Sequence, residues 1–238
     1  MNENVENSGL SNQHKQTYKC SKCKDIGWII ENGTVKARCE CYDLNIAENL
    51  FRASGIKDDY YTFNNFQTWN ESSEKLKNTA LKYYRNFNNI KNDRRNSIAF
   101  LGQVGGGKTH LTVAIGLNLL RQKKQQVIYL PYRDTITYLK QCITDEETYQ
   151  KEIYKYQSSK ILLIDDLLKG KKTESDVNIL FEIINHRYIN SLPIIVSSEY
   201  GIEDLLNFDE AIGSRIYEMC KDYIVEINKD IKNNYRLK

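Results

Sequence analysis

The chain has 238 residues, with 34 Lys+Arg against 31 Asp+Glu, six Cys, two Pro and 40% hydrophobic residues. At ~100–200 residues per domain this is room for one full domain and a small module, and the composition excludes collagen-like, low-complexity and wholly disordered chains. The net charge of +3 neither demands nor excludes nucleic acid; no apolar run approaches the ~20 residues of a membrane span and no apolar core of a signal peptide opens the chain, so it reads as cytoplasmic.

Residues 1–17 are polar and read as a disordered tail. Residues 18–50 form a cysteine module. Cys20, Cys23, Cys39 and Cys41 have the spacing C-x2-C-x15-C-x-C. In a reducing compartment such a cluster points to metal rather than disulfides. Four thiolates suit tetrahedral Zn²⁺ and leave no open position for catalysis. The alternative is free or redox-active thiols. Between the two cysteine pairs, Gly27–Ile30 and Thr34–Arg38 read as strands around Asn32-Gly33, a strong hairpin signal. A hairpin this small needs a metal staple to fold.

Residues 51–74 read as a linker. A helical pattern near Leu44–Phe51 precedes aromatic, Asn-rich sequence. Residues 75–92 read as a basic amphipathic helix offering Lys82, Tyr83, Tyr84 and Arg85. From residue 75 to 238 the chain reads as one nucleotide-binding domain. Short apolar runs at Ser97–Leu101, Gln126–Leu130, Lys160–Ile164, Pro193–Ser197 and Tyr223–Ile227 alternate with longer amphipathic stretches. This predicts an α/β fold with a five-stranded parallel sheet. Helices are expected at Lys108–Lys123, Arg133–Cys142, Asp145–Gln157, Ser175–Asn190 and Glu203–Cys220, the last broken near Gly213. Pro131 closes one strand and Pro193 opens another, where no ladder donor is lost.

Gly102-Gln-Val-Gly105-Gly106-Gly107-Lys108-Thr109 matches G-x-x-x-x-G-K-[ST], between an apolar strand and a helix. Glycines let backbone N–H groups converge on phosphate oxygens, and the helix N-terminus adds partial positive charge. Lys108 is suited to the terminal phosphates of ATP and the Thr109 hydroxyl to Mg²⁺. The strand Ile161–Ile164 ends in Asp165 and Asp166, 57 residues after Lys108. Asp165 is the candidate Mg²⁺ ligand. Asp166 is the candidate that orients or deprotonates the attacking water. Asp is also a good helix cap, which is the structural alternative for Asp166. Ser198 and Glu199, after the fourth strand, are both candidates to contact the terminal phosphate. A turn into the next helix explains them equally well. Residues 132–156 interleave aromatics and cations: Tyr132, Arg133, Tyr138, Lys140, Tyr149, Lys151, Tyr154, Lys155 and Tyr156. Such a mixture suits stacked bases and a phosphate backbone, or alternatively two solvated helices with partly buried tyrosines.

With these motifs in hand the chain resembles the bacterial and phage DnaC/DnaI-type helicase loaders, within the AAA+ P-loop ATPases. The resemblance rests on the cysteine module with Lys24-Asp-Ile-Gly-Trp28, on Gly102–Leu111, on Ile164-Asp-Asp-Leu167 and on Gly213-Ser-Arg215. It covers roughly residues 18–238. It implies an ATPase that uses ATP and Mg²⁺, binds the hexameric replicative helicase and helps deliver it onto single-stranded DNA during replication initiation. The zinc module would contact helicase, and the ATPase domains would self-assemble. By the same resemblance His110 joins the nucleotide-binding residues, Arg215 takes the place of an arginine finger, and Arg236 resembles a second sensor arginine. Only 11 residues follow Ile227, so no C-terminal helical lid is expected.

Three positions depart from the family pattern. Asp166 replaces the more usual Glu and is one methylene shorter, so slow hydrolysis is expected. Glu199 sits where Asn is common. Lys169-Gly-Lys-Lys172 adds three positive charges after the acidic strand end. The alternatives are a transposition-helper ATPase of the IstB type, which shares the core, a small-molecule P-loop kinase, and a nucleotide-binding regulatory module with little hydrolysis.

Overall fold

A computed structural model describes residues 18–57, 59–170 and 173–238. The tail at 1–17, and Lys171 and Lys172 of the basic run, lie outside the described residues. The chain divides into a small unit, Met1–Ile46, and a large unit, Ala47–Lys238.

In the small unit, β1 (Trp28–Glu31) and β2 (Thr34–Arg38) pair antiparallel as the predicted hairpin. Asn32 (φ 50°) and Gly33 (φ 73°) turn it, both left-handed as a tight two-residue turn requires. Most of the hairpin's apolar side chains face solvent; Ile30 and Val35 are half-exposed. The hairpin therefore has almost no apolar core of its own. The helix α1 (Glu40–Ser54) begins at the second cysteine pair, and the division between the units falls within it.

The large unit is built on five parallel strands: β3 (Ile98–Gly102), β4 (Val127–Pro131), β5 (Ile161–Leu167), β6 (Ile194–Ser198) and β7 (Ile224–Ile227). Their order across the sheet is β4-β5-β6-β3-β7. Alternation along each strand sorts the apolar side chains onto two faces. Ala99, Leu101, Leu162, Ile164, Ile194 and Val196 face one core, where they meet α4 (Tyr132–Cys142), α5 (Glu146–Ser158), α6 (Glu174–Ile189) and α8 (Glu210–Cys220). Ile98, Phe100, Ile161, Leu163 and Ile195 face the other core, under α2 (Glu71–Ile90) and α3 (Lys108–Lys123). Each fully buried aliphatic side chain contributes roughly 1.5–3 kcal/mol. Burial on both faces explains why these runs read as continuous hydrophobic stretches.

Three sequence expectations change here. Residues 51–74 do more than link, since Ile56 and Phe66 are buried in the second core. The helix read as starting at residue 75 starts at Glu71, because Asn70 and Ser73 form a reciprocal capping box: the Asn70 side chain accepts from Ser73 N (2.9 Å) and Ser73 Oγ from Asn70 N (3.0 Å). The break in the last helical region falls at Asp209, not Gly213. Asp209 is extended (φ −161°), ends α7 (Ile202–Phe208) and caps α8 by accepting from Ile212 N at 2.8 Å. Gly213 lies inside α8 for a different reason. A Cβ there would stand 2.8 Å from the Leu205 backbone, so glycine lets α7 and α8 pack closely.

Arg187 on α6 is fully buried, and among the described residues no carboxylate pairs with it. Its Nη1 donates to the carbonyls of Tyr156 (2.8 Å), Gln157 (3.1 Å) and Ser159 (2.9 Å), and its Nη2 to that of Pro193 (2.7 Å). It ties the C-terminus of α5 to the entries of β5 and β6. Burial lowers its pKa to about 9, so it stays charged at neutral pH. Replacing it would strand several buried carbonyls at ~1–3 kcal/mol each. Arg187→Met is therefore expected to lower the unfolding free energy by about 3 kcal/mol or more, as read from urea denaturation.

Candidate nucleotide site and cysteine centre

The phosphate loop connects β3 to α3, so its N–H groups sit at a helix N-terminus, as the motif requires. Gly107 has φ +83°, and a Cβ there would lie 2.6 Å from the Phe66 ring. Both the backbone and the packing demand glycine. Lys108 is buried and turned back onto the loop, donating to the carbonyls of Gly102 (2.7 Å) and Gln103 (2.6 Å). Burial lowers its pKa to about 8, while Glu199 and Asp166 pull the other way.

Asp165 stands at the end of β5. Its carboxylate accepts from Thr109 Oγ1 (2.8 Å), Ser197 Oγ (2.5 Å) and Tyr129 Oη (3.0 Å). The hydroxyl and carboxylate proposed for Mg²⁺ thus meet directly. This oxygen-rich pair fits a hard divalent cation, which would supply charge neutralisation on phosphate oxygens. Asp166 follows with φ 53°, and the β5–β6 register shifts between Ile164 and Leu167. Its N–H donates to Ser197 Oγ at 2.9 Å.

A cavity of ≈ 360 Å³ opens above these groups. Gly105, Gly106, Gly107, Lys108, Thr109, His110, Asp166, Glu199 and Arg236 all line it. Ser198 does not. Its hydroxyl is fully buried and donates to Leu167 O at 2.8 Å, which corrects the sequence assignment. The polar residue that reaches the acidic pair is its neighbour Ser197, because alternate residues of β6 point to opposite faces. Ser197 and Tyr129 both escaped sequence reasoning. Each lies inside an apolar strand, where a lone hydroxyl reads as core; only its position opposite the end of β5 marks it.

His110 Nε2–H donates to Thr62 O (2.9 Å) and Asn65 Oδ1 (3.0 Å), and its ring packs against Tyr61 and Phe66. Burial lowers its pKa, so it is neutral at pH 7. Tyr60, Tyr61, Phe66, Trp69 and Tyr235 make this side of the cavity aromatic, which suits the flat face of a nucleobase. Arg215 is elsewhere, on α8. Its guanidinium lies 5.3 Å from the ring centres of both Phe181 and Tyr188, and its Nη1 donates to Ala211 O. It does not line the cavity.

In the small unit the four cysteine sulfurs lie within 4.8 Å of one another, with Cys23 and Cys41 at 3.2 Å and Cys20 and Cys39 at 3.7 Å. Gly27 N–H points at Cys23 Sγ (3.4 Å), and Asp25 accepts from Cys20 N (2.8 Å). The Cys20 thiol is lowered to about 7, first by the backbone at Cys23, while that of Cys41 is raised, first by its hydrogen bond to Cys23. Four sulfurs this close cannot all carry charge without a cation between them. The donor set fits tetrahedral Zn²⁺.

Two measurements test these sites. Ser197→Ala is expected to cut ATP turnover by about tenfold or more with little loss of nucleotide affinity, since it unties the acidic pair from β6. Ser198→Ala should leave turnover within about twofold, its hydroxyl bridging the Leu167 carbonyl and the Tyr200 N–H rather than lining the cavity. For the cysteines, a chelator or Cys39→Ser should release one zinc per chain and change Trp28 fluorescence. Acid should do the same as protons displace the metal. An unchanged spectrum after metal removal would contradict a metal-stapled hairpin.

A family model described as the bacterial DnaA ATPase domain matches residues 57–220. Two Bacillus subtilis strain 168 proteins are similar over most of the chain. The uncharacterized protein YqaM is 36% identical over 92% of this chain and 71% of its own length, and the phage-like element PBSX protein XkdC is 37% identical over 88% and 82%. The crystal structure of the DnaC helicase loader superposes with a TM-score of 0.61 at 24% identity, over 70% of this chain and 96% of that one, and shares the fold. The match over residues 57–220, together with the phosphate loop, the acidic strand end and the five-stranded sheet that joins them, places this chain in the bacterial DnaA-type family of AAA+ ATPases.

Proposed function

We propose that the protein is a helicase loader: its cysteine module docks on the hexameric replicative helicase while its ATPase unit binds ATP and single-stranded DNA. The observation that carries this reading is the pairing of a four-cysteine unit with an ATPase unit of the DnaA/DnaC fold. Neither part alone distinguishes a loader from other P-loop ATPases.

The chemistry within the large unit supports ATP hydrolysis. Lys108 and the loop N–H groups bind phosphates. Thr109 and Asp165 hold Mg²⁺. Asp166 lines the cavity beside them and is assigned the orientation of the attacking water. Its carboxylate is one methylene shorter than Glu, which favours slow turnover suited to a timed handover rather than processive work. Arg215 is assigned to the site of a neighbouring copy, which makes hydrolysis dependent on assembly.

Single-strand binding is supported by α4 and α5. Arg133, Tyr138, Lys151, Tyr154 and Lys155 are exposed there. Tyr132 and Tyr156 are buried, Tyr149 donates to Glu182, and Lys140 is paired with Asp176, so these four serve the fold. The exposed set still combines stacking faces with cations along two successive helices.

A pull-down with the host's replicative helicase, with and without ATP, tests the reading. Retention of helicase and stimulated loading onto single strand are expected. Binding to duplex DNA with no helicase retention would favour the transposition-helper alternative. Lys108→Ala should abolish ATP binding. Arg215→Ala should keep binding but lose the turnover that rises with protein concentration; unchanged turnover at high concentration would remove the finger assignment.

A further inference from the structure

Lys169 stands two residues past the end of β5. Left-handed backbone at Asp166 (φ 53°) and Leu168 (φ 66°) turns the chain sharply there, and Lys169 N–H donates to Asp166 O at 3.0 Å. Two left-handed non-glycine residues within three positions are strained and persist only where the surroundings hold them. The turn brings the Lys169 ammonium back over the cavity. Its Nζ lies 2.7 Å from Asp166 Oδ2 and 3.3 Å from Glu199 Oε1. All three residues line the cavity with Lys108.

The arrangement has a consequence for the nucleotide. Glu199 and Asp166 both bring negative charge to the cavity that Lys108 and the phosphate loop line. A terminal phosphate entering there meets two carboxylates, which oppose it. Lys169 is the cation between them. It is half-exposed, so its ion pairs are weak and exchangeable, and its flexible four-carbon stem can move a point charge by a few ångströms. While Lys169 holds Asp166, that carboxylate is engaged and cannot fully serve a water.

We propose that Lys169 senses the terminal phosphate of ATP within its own chain: it leaves Asp166 and Glu199 for the γ-phosphate, which frees Asp166 to orient the attacking water. A diphosphate offers nothing at that position and leaves the Asp166–Lys169–Glu199 clamp closed. The differential interaction needed to shift the equilibrium is thus present only for the triphosphate. Lys169 is a positioning residue in this scheme, since it sets the state of Asp166 rather than reacting. The proposal rests on the ATPase reading but assigns a role to a residue that the phosphate-loop motif does not include.

The test compares affinities for ADP and for a non-hydrolysable ATP analogue in the full-length protein, by competition with a fluorescent nucleotide. In Lys169→Met the analogue should bind about tenfold more weakly while ADP affinity stays within about twofold, one charge-assisted contact being lost. Lys169→Arg should restore most of the preference. Glu199→Gln should raise analogue affinity about twofold or more, because it weakens the competing pair. Unchanged ADP affinity also reports that the variants are folded. Equal losses for both nucleotides, or no loss for either, would overturn the role of Lys169 and leave the ATPase reading standing. Failure of the wild type to bind either nucleotide would overturn both.

Discussion

One buried carboxylate organises the large unit. Asp165 accepts from hydroxyls on three other elements: Thr109 on α3, Tyr129 on β4 and Ser197 on β6. A carboxylate removed from water is costly unless its oxygens are satisfied, and here hydrogen bonds do that work. The strand order makes it possible. Because β6 lies between β3 and β5, the phosphate loop, Ser197 and Asp165 come to adjacent strand ends. A sheet with β5 directly beside β3 would keep the same motifs and lose the serine between them.

The loop itself is braced from both ends of the large unit. Phe66 packs against Gly107, and Tyr235 N–H donates to Gly105 O at 3.0 Å. Trp69 connects the two braces: its ring packs at a tilt against Tyr235, and its Nε1 donates to Lys232 O. A segment at 60–70 and another at 232–236 thereby wall the nucleotide cavity and bring Arg236 to its rim. The aromatic wall is assembled from residues more than 160 positions apart. Its members come together only because both segments pack on the same loop.

The two units are held by different physics. The large one buries apolar strands on two faces, so its stability scales with area removed from water. The small one exposes most of its hairpin and draws its order from four sulfurs.

Much of this was legible in the sequence. The phosphate loop, the acidic strand end, the four cysteines and the five parallel strands are local patterns. Each is dictated by chemistry that acts over a few residues: phosphates need glycine N–H groups, zinc needs thiolates, and doubly covered strands need continuous apolar runs. The helix starts and breaks were less legible, because Asn70 and Asp209 act through single side-chain caps that outweigh periodicity. What only the tertiary structure decided lies where separate segments meet. Ser197 rather than Ser198 reaches the acidic pair because the pleat of β6 turns alternate residues to opposite faces, with Asp165 beyond one of them. Lys169 looked like part of a basic run. It became a partner of Asp166 and Glu199 only once a left-handed turn folded it back and the order of strands set Glu199 beside it. Spacing along the chain carries no information about that meeting, since it depends on which strand ends are neighbours.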